Sequence, residues 1–481
     1  MQAEELRALV QDIQHQRTEK QTVELKAGNG GFPRKIYDTL SSFSNQDSGG
    51  ILIFGITDKP RYEVVGVYDA EDTQKKIMEA CSQMEPKVRA LITICEINGK
   101  MVVSAEIPGL PFSLRPVFYR GAGRLKGSFI RVGDADELMS EYEIYSYEAF
   151  RQRIRDELRT VDRVDLSLFN QERLSRYISA VKAERKNLAN NVPQEDILEL
   201  MGITYKQTPT LAGVMTFSRY PQTYFPQLCI TAVVVPGTEL GDTDEDGARF
   251  VDNVRITGAI PEMIEEAVDF VRKNSRTKTI IDEDGHRNDR PEYPIKAVRE
   301  AVLNALVHRD YSIYTENTPV SIEMYRDRMV IRNRGGLYGG GSLQQLGKGR
   351  PETRNAALAN MLEILHVTEN RYSGIPTILR ELEKAGLPEP VFEVRHGDFI
   401  VTFRNQFIVD SRTTNGHRNL SEALLAFCKT PRSRKELMEF TGKSQYYTMS
   451  VIVKKLIETG KIKQTIPEKP RSPKQRFVTA N

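Results

Sequence analysis

Apolar and polar positions in the first 135 residues follow the pattern of helices alternating with buried strands. Apolar runs of strand length occur at ILIFGITD (51–58), MVVSAEIP (101–108) and SFIRVGD (128–134). The first run follows a Gly-Gly pair, which is typical of a tight turn entering a strand. Stretches with helical spacing separate these runs, so we predict an α+β domain over residues 1–135.

A larger α/β region is predicted over residues 205–410. It contains the strand LCITAVVVPG (228–237), the helix EMIEEAVDFVRK (262–273) and a strand pair within 320–333. A charged stretch rich in Glu, Arg and Tyr leads into it, and we interpret 136–204 as a helical connector. After a polar linker, SRTTNGHR (411–418), residues 419–481 show three short helical patterns and the two short strands KIKQTI (461–466) and RFVTA (475–479).

One helix carries a polar stripe on an otherwise apolar surface. In REAVLNALVHRDYS (299–312), the apolar residues are nearly continuous, yet Glu300, Asn304 and His308 stand four residues apart. Residues at this spacing lie along one side of a helix. Each of these groups needs a partner if it is buried, because an unpartnered polar group costs free energy. The stripe faces either a ligand or a satisfied polar seam between the helix and a sheet.

A dense series of glycines follows this helix. The sequence RNRGGLYGGG (332–341) comes after a predicted strand, and glycine lets backbone N–H groups approach an anion closely. A P-loop would need GxxxxGK[ST]. Between Gly341 and the pair Gly347-Lys348 the spacing is one residue too long, and Gly349 stands where Ser or Thr is required. The sequence therefore excludes a P-loop here.

The order of these elements resembles the GHKL ATP-binding fold, an α/β sandwich. More closely, residues 205–405 resemble the GHKL-like domain of bacterial proteins that carry a Schlafen-type AlbA domain in front. The matching segments are TLAGVMTFSRYPQTYFPQ (210–227), EYP (292–294) with AVREAVLNALVHRDYS (297–312), NRGGLYGG (333–340), RN (354–355) and YSGI (372–375).

This resemblance implies that the region binds ATP with Mg²⁺. Asn304 would hold Mg²⁺ against the phosphates, and Glu300 would be the general base that polarises the attacking water. Asn333 stands where most members have an Asp that accepts the adenine amino group. The remaining residues implied to contact the nucleotide are His308, Gly335, Gly336, Gly339, Ser373 and Gly374. Whether ATP is hydrolysed stays open, as does a degenerate scaffold that binds neither nucleotide nor metal.

The segments EKQTVELK (19–26), SSFSNQDSGG (41–50), ILIFGITDK (51–59) and GAGRLKGSFIRVGD (121–134) resemble the Schlafen-type AlbA domain. In eukaryotic Schlafens, acidic residues at the equivalent positions form a metal-dependent RNA-cleaving site. That resemblance implies Glu19, Glu24 and Asp58 as ligands of Mg²⁺ or Mn²⁺, with Lys26 and Lys59 near phosphate. The alternatives are nucleic-acid binding without cleavage and a purely structural role.

The segment 419–481 resembles a winged helix-turn-helix, and its charge favours nucleic acid. From Lys429 onward, 13 Lys and Arg oppose 4 Glu, a net +9, which leaves −6 for the rest of a chain whose net charge is +3. The third helix would enter the major groove with Lys443 and Gln445 at its start. Phosphate contacts would come from the wing residues Lys469, Arg471, Lys474 and Arg476. A protein-binding winged helix is the alternative.

Composition limits the remaining possibilities. The chain has 481 residues, enough for about three domains, and its 39% hydrophobic and 28% charged residues are ordinary for globular protein. Its four cysteines lack CxxC spacing, so neither a disulfide framework nor a zinc site is indicated. The apolar runs are too short to span a membrane, and the N-terminus resembles no signal peptide. We therefore expect a cytoplasmic protein.

The sequence favours an ATP-binding regulator of transcription that contacts DNA, with nucleotide binding modulating that contact. The alternative is a Mg²⁺- or Mn²⁺-dependent endoribonuclease acting on tRNA or other structured RNA, with the other two domains as sensors. Nucleic acid is the expected partner in both cases: DNA at the winged helix and RNA at the AlbA-type domain. A homo-oligomer is compatible with either function.

Overall fold

The structure is a computed structural model of the whole chain. It describes residues 1–18, 21–33, 35–58, 60–189, 192–281, 287–349, 352–368, 374–395, 397–405, 424–441, 449, 453, 456–457, 461–466 and 475–480. The predicted linker at 411–418 lies outside these residues.

The helices are α1 (Ala3–Gln16), α2 (Tyr37–Ser44), α3 (Ala70–Ser82), α4 (Arg124–Gly127), α5 (Glu141–Gln152), α6 (Gln171–Glu184), α7 (Lys186–Ala189), α8 (Gln194–Leu200), α9 (Leu211–Phe217), α10 (Ile260–Asn274), α11 (Ile295–His308), α12 (Ala356–Ile364), α13 (Gly374–Lys384) and α14 (Arg434–Thr441). The strands of the first part are β1 (Val23–Lys26), β2 (Gly50–Phe54), β3 (Met84–Glu85), β4 (Leu91–Ile97), β5 (Lys100–Ile107), β6 (Phe118–Tyr119), β7 (Phe129–Val132) and β8 (Ala135–Leu138). The later strands are β9 (Thr204–Tyr205), β10 (Thr208–Pro209), β11 (Ile230–Val234), β12 (Asp252–Ile256), β13 (Thr277–Ile281), β14 (Arg287–Pro291), β15 (Val320–Met324), β16 (Arg328–Arg334), β17 (Val391–Arg395), β18 (Asp398–Arg404), β19 (Arg432–Ser433), β20 (Ile462–Gln464) and β21 (Arg476–Thr479).

The N-terminal part is built on a four-stranded sheet in the order β1-β2-β5-β4, with helices on both faces. Alternation along β2 sends Leu52 to one face and Ile53 to the other. Leu52 joins a core with side chains of α2 and α3, whereas Ile53 packs with side chains of α1. Burial on both faces explains why β2 reads as a continuous apolar run. This arrangement agrees with the α+β class predicted for the segment.

The Asn-x-x-x-Gly-Gly turn before β2 has a structural role. Asn45 is buried; its Nδ2 donates to the carbonyls of Val117 (2.9 Å) and Phe129 (3.0 Å), and its Oδ1 accepts from the N–H of Val117 (2.7 Å). Gly49 has φ +62°, and a Cβ on Gly50 would collide with the Phe43 ring. The turn therefore holds β6 and β7 against the start of β2.

The central part is built on a six-stranded sheet in the order β12-β11-β15-β16-β18-β17. Strand β11 runs parallel to β15, and the other neighbours are antiparallel. Alternate residues of β15, Val320, Ile322 and Met324, face a core that also contains side chains of α10 and α11. This is the helix-on-sheet layering expected for an α/β sandwich.

The predicted connector, 136–204, differs from a simple linker. Strand β8 pairs with β7 and so extends the N-terminal part past residue 135. Residues Leu174, Tyr177, Ile178 and Val181 of α6 lie in the central core, which begins at Val161. Their spacing is an amphipathic helical pattern, but the charged residues between them conceal it in the sequence. Only α5 and its flanks therefore act as a connection.

The described residues of the C-terminal part form a three-stranded sheet in the order β19-β21-β20, beside α14. Leu424, Leu437, Ile462 and Phe477 belong to its small core. The two strands predicted at 461–466 and 475–479 are present as the shorter, antiparallel β20 and β21. Most of the expected third helix lies outside the described residues, so the winged helix-turn-helix stays a prediction. No helix in the described ranges is long and apolar enough to cross a membrane.

Candidate functional site

Most apolar side chains of helix α11 are buried in the central core. Ala301, Val302, Leu303, Ala305 and Leu306 are at most 5% exposed and belong to the central core. Glu300, Asn304 and His308 instead line a cavity of about 590 Å³. A nucleotide-sized ligand typically occupies a pocket of roughly 300–1,000 Å³. The stripe therefore faces a ligand-sized space rather than the sheet.

The other walls of the cavity include the end of β16, the glycine loop after it (335–349), one side of α12, part of β18 and the start of α13. Every described residue of the predicted nucleotide set lines this one cavity: Glu300, Asn304, His308, Asn333, Gly335, Gly336, Gly339 and Gly374. Ser373 lies outside the described residues. The structure thus brings together positions that are separated in the sequence by up to about 70 residues.

Two glycines lie close to neighbouring groups at the cavity. Gly335 has φ +98°, and a Cβ there would lie 2.9 Å from the backbone nitrogen of Asp310. A Cβ on Gly374 would collide with Glu300 Oε1 and lie 2.8 Å from Asn304 Nδ2. Gly374 is the first residue of α13, so the N-terminus of this helix lies against the stripe. The aligned N–H groups at such a terminus favour an anion.

The cavity lining fits a magnesium nucleotide. Asn304 Nδ2 is buried, and within the described part of the chain it has no hydrogen-bond acceptor. A phosphate oxygen could accept from such a group. In the other orientation of the carboxamide, the side-chain oxygen could ligate a hard cation. Asn333 is 4% exposed, and its Nδ2 donates to the Arg334 carbonyl (3.1 Å).

Burial and a nearby cation keep His308 neutral. Desolvation, with a smaller contribution from Arg354, lowers the pKa of His308 to about 4. At neutral pH the imidazole therefore adds no charge to the cavity, although it retains one donor and one acceptor nitrogen.

The residues after the stripe fix the surrounding loops. Asp310 is 1% exposed and accepts hydrogen bonds from Tyr142 Oη (2.8 Å) and from the guanidinium of Arg354 (3.2 Å). Arg309 is equally buried, and its guanidinium donates to the carbonyls of Thr315 (3.2 Å) and Thr318 (2.9 Å). Both side chains therefore have structural roles.

Two residues at or beside the cavity, Arg354 and Asn355, were not assigned a role from the sequence, although their dipeptide RN was part of the GHKL-like pattern. Arg354 lines the cavity and donates to the Gly336 carbonyl (3.3 Å). Asn355 donates to the carbonyls of Val307 (2.7 Å) and Arg309 (2.8 Å), which α11 leaves without helical partners at its C-terminal end.

Two family models match the chain. Residues 19–140 match the family "Schlafen, AlbA_2", and residues 317–403 match the family described as "Putative ATP-dependent DNA helicase recG C-terminal", a HATPase_c_4 domain. The chain carries a Schlafen AlbA_2 domain and a HATPase-type domain. This confirms the resemblance found in the sequence for both regions.

Solved structures give more distant similarity. The DIP2311 protein from Corynebacterium diphtheriae is 17% identical over 99% of this chain and 97% of that chain, with a TM-score of 0.40. The N-terminal domain of a RecG-related protein from Nitrosomonas europaea is 20% identical over 30% of this chain and 97% of that chain, with a TM-score of 0.23. No curated protein matches the chain.

In the AlbA_2 domain, Glu24 forms ion pairs with two cationic side chains. Its carboxylate accepts from Lys26 Nζ (2.6 Å) and from the guanidinium of Arg131 (2.9 Å). Arg131 is almost fully buried and also bonds Asp136 (2.8 Å), which accepts from the Thr39 and Ser42 hydroxyls. Asp58 is exposed beyond the end of β2.

The described residues contain no group of three acidic, His or Cys side chains able to hold a metal ion. Glu19, the third predicted ligand, lies outside them, as does Lys59. The metal site at Glu19, Glu24 and Asp58 therefore stays a prediction. The structure assigns Glu24 and Lys26 to an ion-pair network.

Of the predicted nucleic-acid contacts in the C-terminal part, Arg476 is the one that the structure describes. Its guanidinium lies 3.5 Å from the Glu436 carboxylate, and its side chain is 52% exposed. Lys443, Gln445, Lys469, Arg471 and Lys474 lie outside the described residues.

Replacing Glu24 tests whether it is structural. Glu24→Ala should destabilise the AlbA_2 domain by about 1–3 kcal/mol, because buried Arg131 loses one of its two carboxylate partners. Glu137→Ala, an exposed position on β8, is the matched control and should change stability little. Chemical denaturation of both variants measures the effect. A more stable Glu24→Ala variant would instead indicate repulsion among acidic groups at a metal site.

The neutral state of His308 predicts a pH dependence. Below pH 6.5 the unfolded chain takes up a proton that the folded chain does not bind until about pH 4. Lowering the pH through this window therefore decreases the free energy of unfolding. His308→Gln should lose less stability than the wild type over the same window. The difference between them should approach about 1.4 kcal/mol per pH unit where it is steepest.

Denaturant titrations at a series of pH values measure this difference. Glu157 contributes in the opposite direction, because burial raises its pKa from 4.5 to about 7 and its stabilising protonated form is lost as the pH rises. That contribution is common to both proteins and cancels in the comparison. Equal slopes in the wild type and His308→Gln would contradict a buried, neutral imidazole.

Proposed function

We propose that this protein is an ATP-binding, nucleic-acid-binding regulator in which nucleotide in the cavity modulates contact with DNA. The observation that carries the proposal is the polar stripe of α11 facing a cavity that is also lined by the glycine loop and by the N-terminus of α13. Oxygen-rich anions suit such a lining. The match of residues 317–403 to a HATPase_c_4 model supports the same ligand class.

The residues divide into binding and activating roles. Asn304 would hold Mg²⁺ together with phosphate oxygens, and the ion would neutralise phosphate charge in the cavity. The glycine loop and the first turn of α13 would offer backbone N–H groups to the phosphates. Glu300, one helical turn before Asn304, would polarise a water molecule, so slow ATP hydrolysis is part of the proposal. Asn333 would accept from the adenine amino group.

Nucleic-acid contact is proposed for both ends of the chain. The C-terminal segment carries a net charge of +9 from Lys429 onward, and a cationic segment binds DNA by releasing counterions from its phosphates. The AlbA_2 match at residues 19–140 supports a nucleic-acid-related role for the N-terminal part. The chain lacks a GxxxxGK[ST] motif, so no P-loop helicase motor is proposed.

Thermal denaturation with nucleotide tests the cavity. ATP with Mg²⁺ at about 100 times its Kd should stabilise the wild type by roughly 2.7 kcal/mol. Asn304→Ala and Gly374→Ala should abolish this shift, the first by removing a ligand and the second by filling the space beside the stripe. Glu300→Ala should bind ATP and lose hydrolysis.

Lys296→Ala is the control, because Lys296 is exposed on the same helix and does not line the cavity. It should keep the full shift. Isothermal titration calorimetry supplies an independent measurement. A wild type that gives neither binding heat nor a thermal shift with ATP, with or without Mg²⁺, would refute the nucleotide site.

The salt dependence of DNA binding tests the C-terminal part. Deleting residues 419–481 should weaken duplex binding and flatten the slope of log affinity against log salt concentration. The slope should fall by about 0.9 for each DNA phosphate that the protein no longer neutralises. Charge reversal at Lys469 and Arg471 should give a smaller change in the same direction. Reversal at Arg272 and Lys273, exposed on α10, is the control. An unchanged slope after the deletion would identify this part as a protein-binding surface.

A further inference from the structure

Four aromatic side chains connect the AlbA_2 domain to the glycine loop of the cavity, and we refer to Phe112, Tyr147, Phe150 and Tyr338 as the aromatic seam. Phe112 lies in a short helical turn of the AlbA_2 domain, at ring-centroid distances of 4.7 Å from Tyr147 and 5.1 Å from Phe150. Phe150 in turn meets Tyr338 edge-on at 5.1 Å. Such contacts contribute specific geometry as well as apolar burial.

One end of the aromatic seam is fixed to the body of the AlbA_2 domain. The guanidinium of Arg115, three residues after Phe112, donates to the Leu110 carbonyl (2.8 Å) and to Asp47 (2.6 Å). The N–H of Leu110 donates to the carbonyl of Ser44, at the end of α2 (2.9 Å). A displacement of this domain would therefore carry Phe112 with it.

The other end belongs to the cavity wall. Tyr338 lines the cavity, and the two glycines after it have φ +74° and +75°. A Cβ on Gly340 would lie 2.8 Å from Phe112 Cβ, and one on Gly339 would lie 3.0 Å from the Phe150 ring. The aromatic rings thus pack directly on the loop backbone that forms the cavity, and they restrict the conformations open to it.

A polar connection runs beside the aromatic seam. Tyr142, on the same helix as Tyr147 and Phe150, donates to Asp310, which binds the Arg354 guanidinium. Arg354 lines the cavity, bonds the carbonyl of Gly336 in the glycine loop, and lies 5.0 Å from the Tyr338 ring centre. Helix α5 therefore reaches the cavity wall by two routes, one apolar and one hydrogen-bonded.

We propose that the AlbA_2 domain controls the nucleotide cavity through the aromatic seam, so that the position of this domain and nucleotide occupancy are coupled. Phe112 and Phe150 hold the glycine loop in the conformation that forms the cavity. Coupling of this kind is reciprocal, so nucleotide must also favour the domain arrangement in which Phe112 contacts Gly340. The inference about nucleotide rests on the proposed function; the control of the loop does not.

Hydrogen–deuterium exchange of the full chain without nucleotide tests the control of the loop directly. Phe112→Ala should increase exchange in the glycine loop, residues 335–349, although the substitution lies in another domain. Leu114→Ala is the matched control, because Leu114 belongs to the same turn and is 43% exposed. Phe150→Ala, made from the α5 side, should reproduce the effect of Phe112→Ala. Circular dichroism checks that each variant is folded.

Calorimetric titration with ATP and Mg²⁺ tests the coupling. Phe112→Ala should weaken ATP binding by about fivefold or more, whereas Leu114→Ala should bind like the wild type. Unchanged loop exchange in both Phe112→Ala and Phe150→Ala would overturn the proposal, whatever the wild type binds. Increased exchange with unchanged ATP affinity would overturn the coupling alone. A wild type that binds no ATP would refute the proposed function, while the loop exchange would still decide the role of the aromatic seam.

Discussion

One buried carboxylate joins the parts of the cavity. Asp310 follows α11 directly, and its side chain is held by the backbone N–H of Ser312, the Tyr142 hydroxyl and Arg354. A buried charge is tolerated only when such partners compensate for its lost hydration. The need to compensate this carboxylate therefore fixes three elements relative to one another. These are α5, the end of α11 and, through Arg354, the first glycines of the loop. Separating these elements would break the hydrogen bonds from Tyr142 and Arg354 that compensate the buried carboxylate.

The sequence predicted those cavity residues that lie close together along the chain. Glu300, Asn304 and His308 repeat every four residues on one helix, and periodicity of this kind needs no knowledge of the tertiary fold. The glycines at 335, 336 and 339 stand out by their density after a strand, and the resemblance to the GHKL-like domain implied their contact with nucleotide. Hydrogen bonds between residues far apart in the sequence could not be recognised in this way. Tyr142 and Asp310 are 168 residues apart, and Arg354 and Asp310 are 44 apart. Nothing in either neighbourhood indicates the other, so α5 was interpreted as part of a connector.

The AlbA_2 domain shows what the partners of a residue add to its motif. The resemblance implied Glu24 as a metal ligand, and that role stays a prediction. In the structure, Glu24 forms an ion pair with Arg131, and Asn45 hydrogen-bonds the carbonyls of Val117, just before β6, and Phe129, in β7. A sequence motif shows which residue type a family has at a position. It does not show whether that residue is catalytic or stabilises the fold. The hydrogen-bond and ion-pair partners of the residue help to make this distinction. Here the buried guanidinium of Arg131 is compensated by the carboxylates of Glu24 and Asp136.

The composition of the central core has a consequence for biosynthesis. Its apolar residues begin at Val161 and continue to Phe403. Strand β11 can pair with β15 only after about 90 more residues have been synthesised, because β15 lies that far along the chain. At about 5–20 residues per second, the helices that emerge first wait roughly 10–50 s for the last strands. During translation their apolar faces stay in water beside the ribosome. During this time the nascent chain can aggregate or bind chaperones. This period begins when helix α6 has been synthesised.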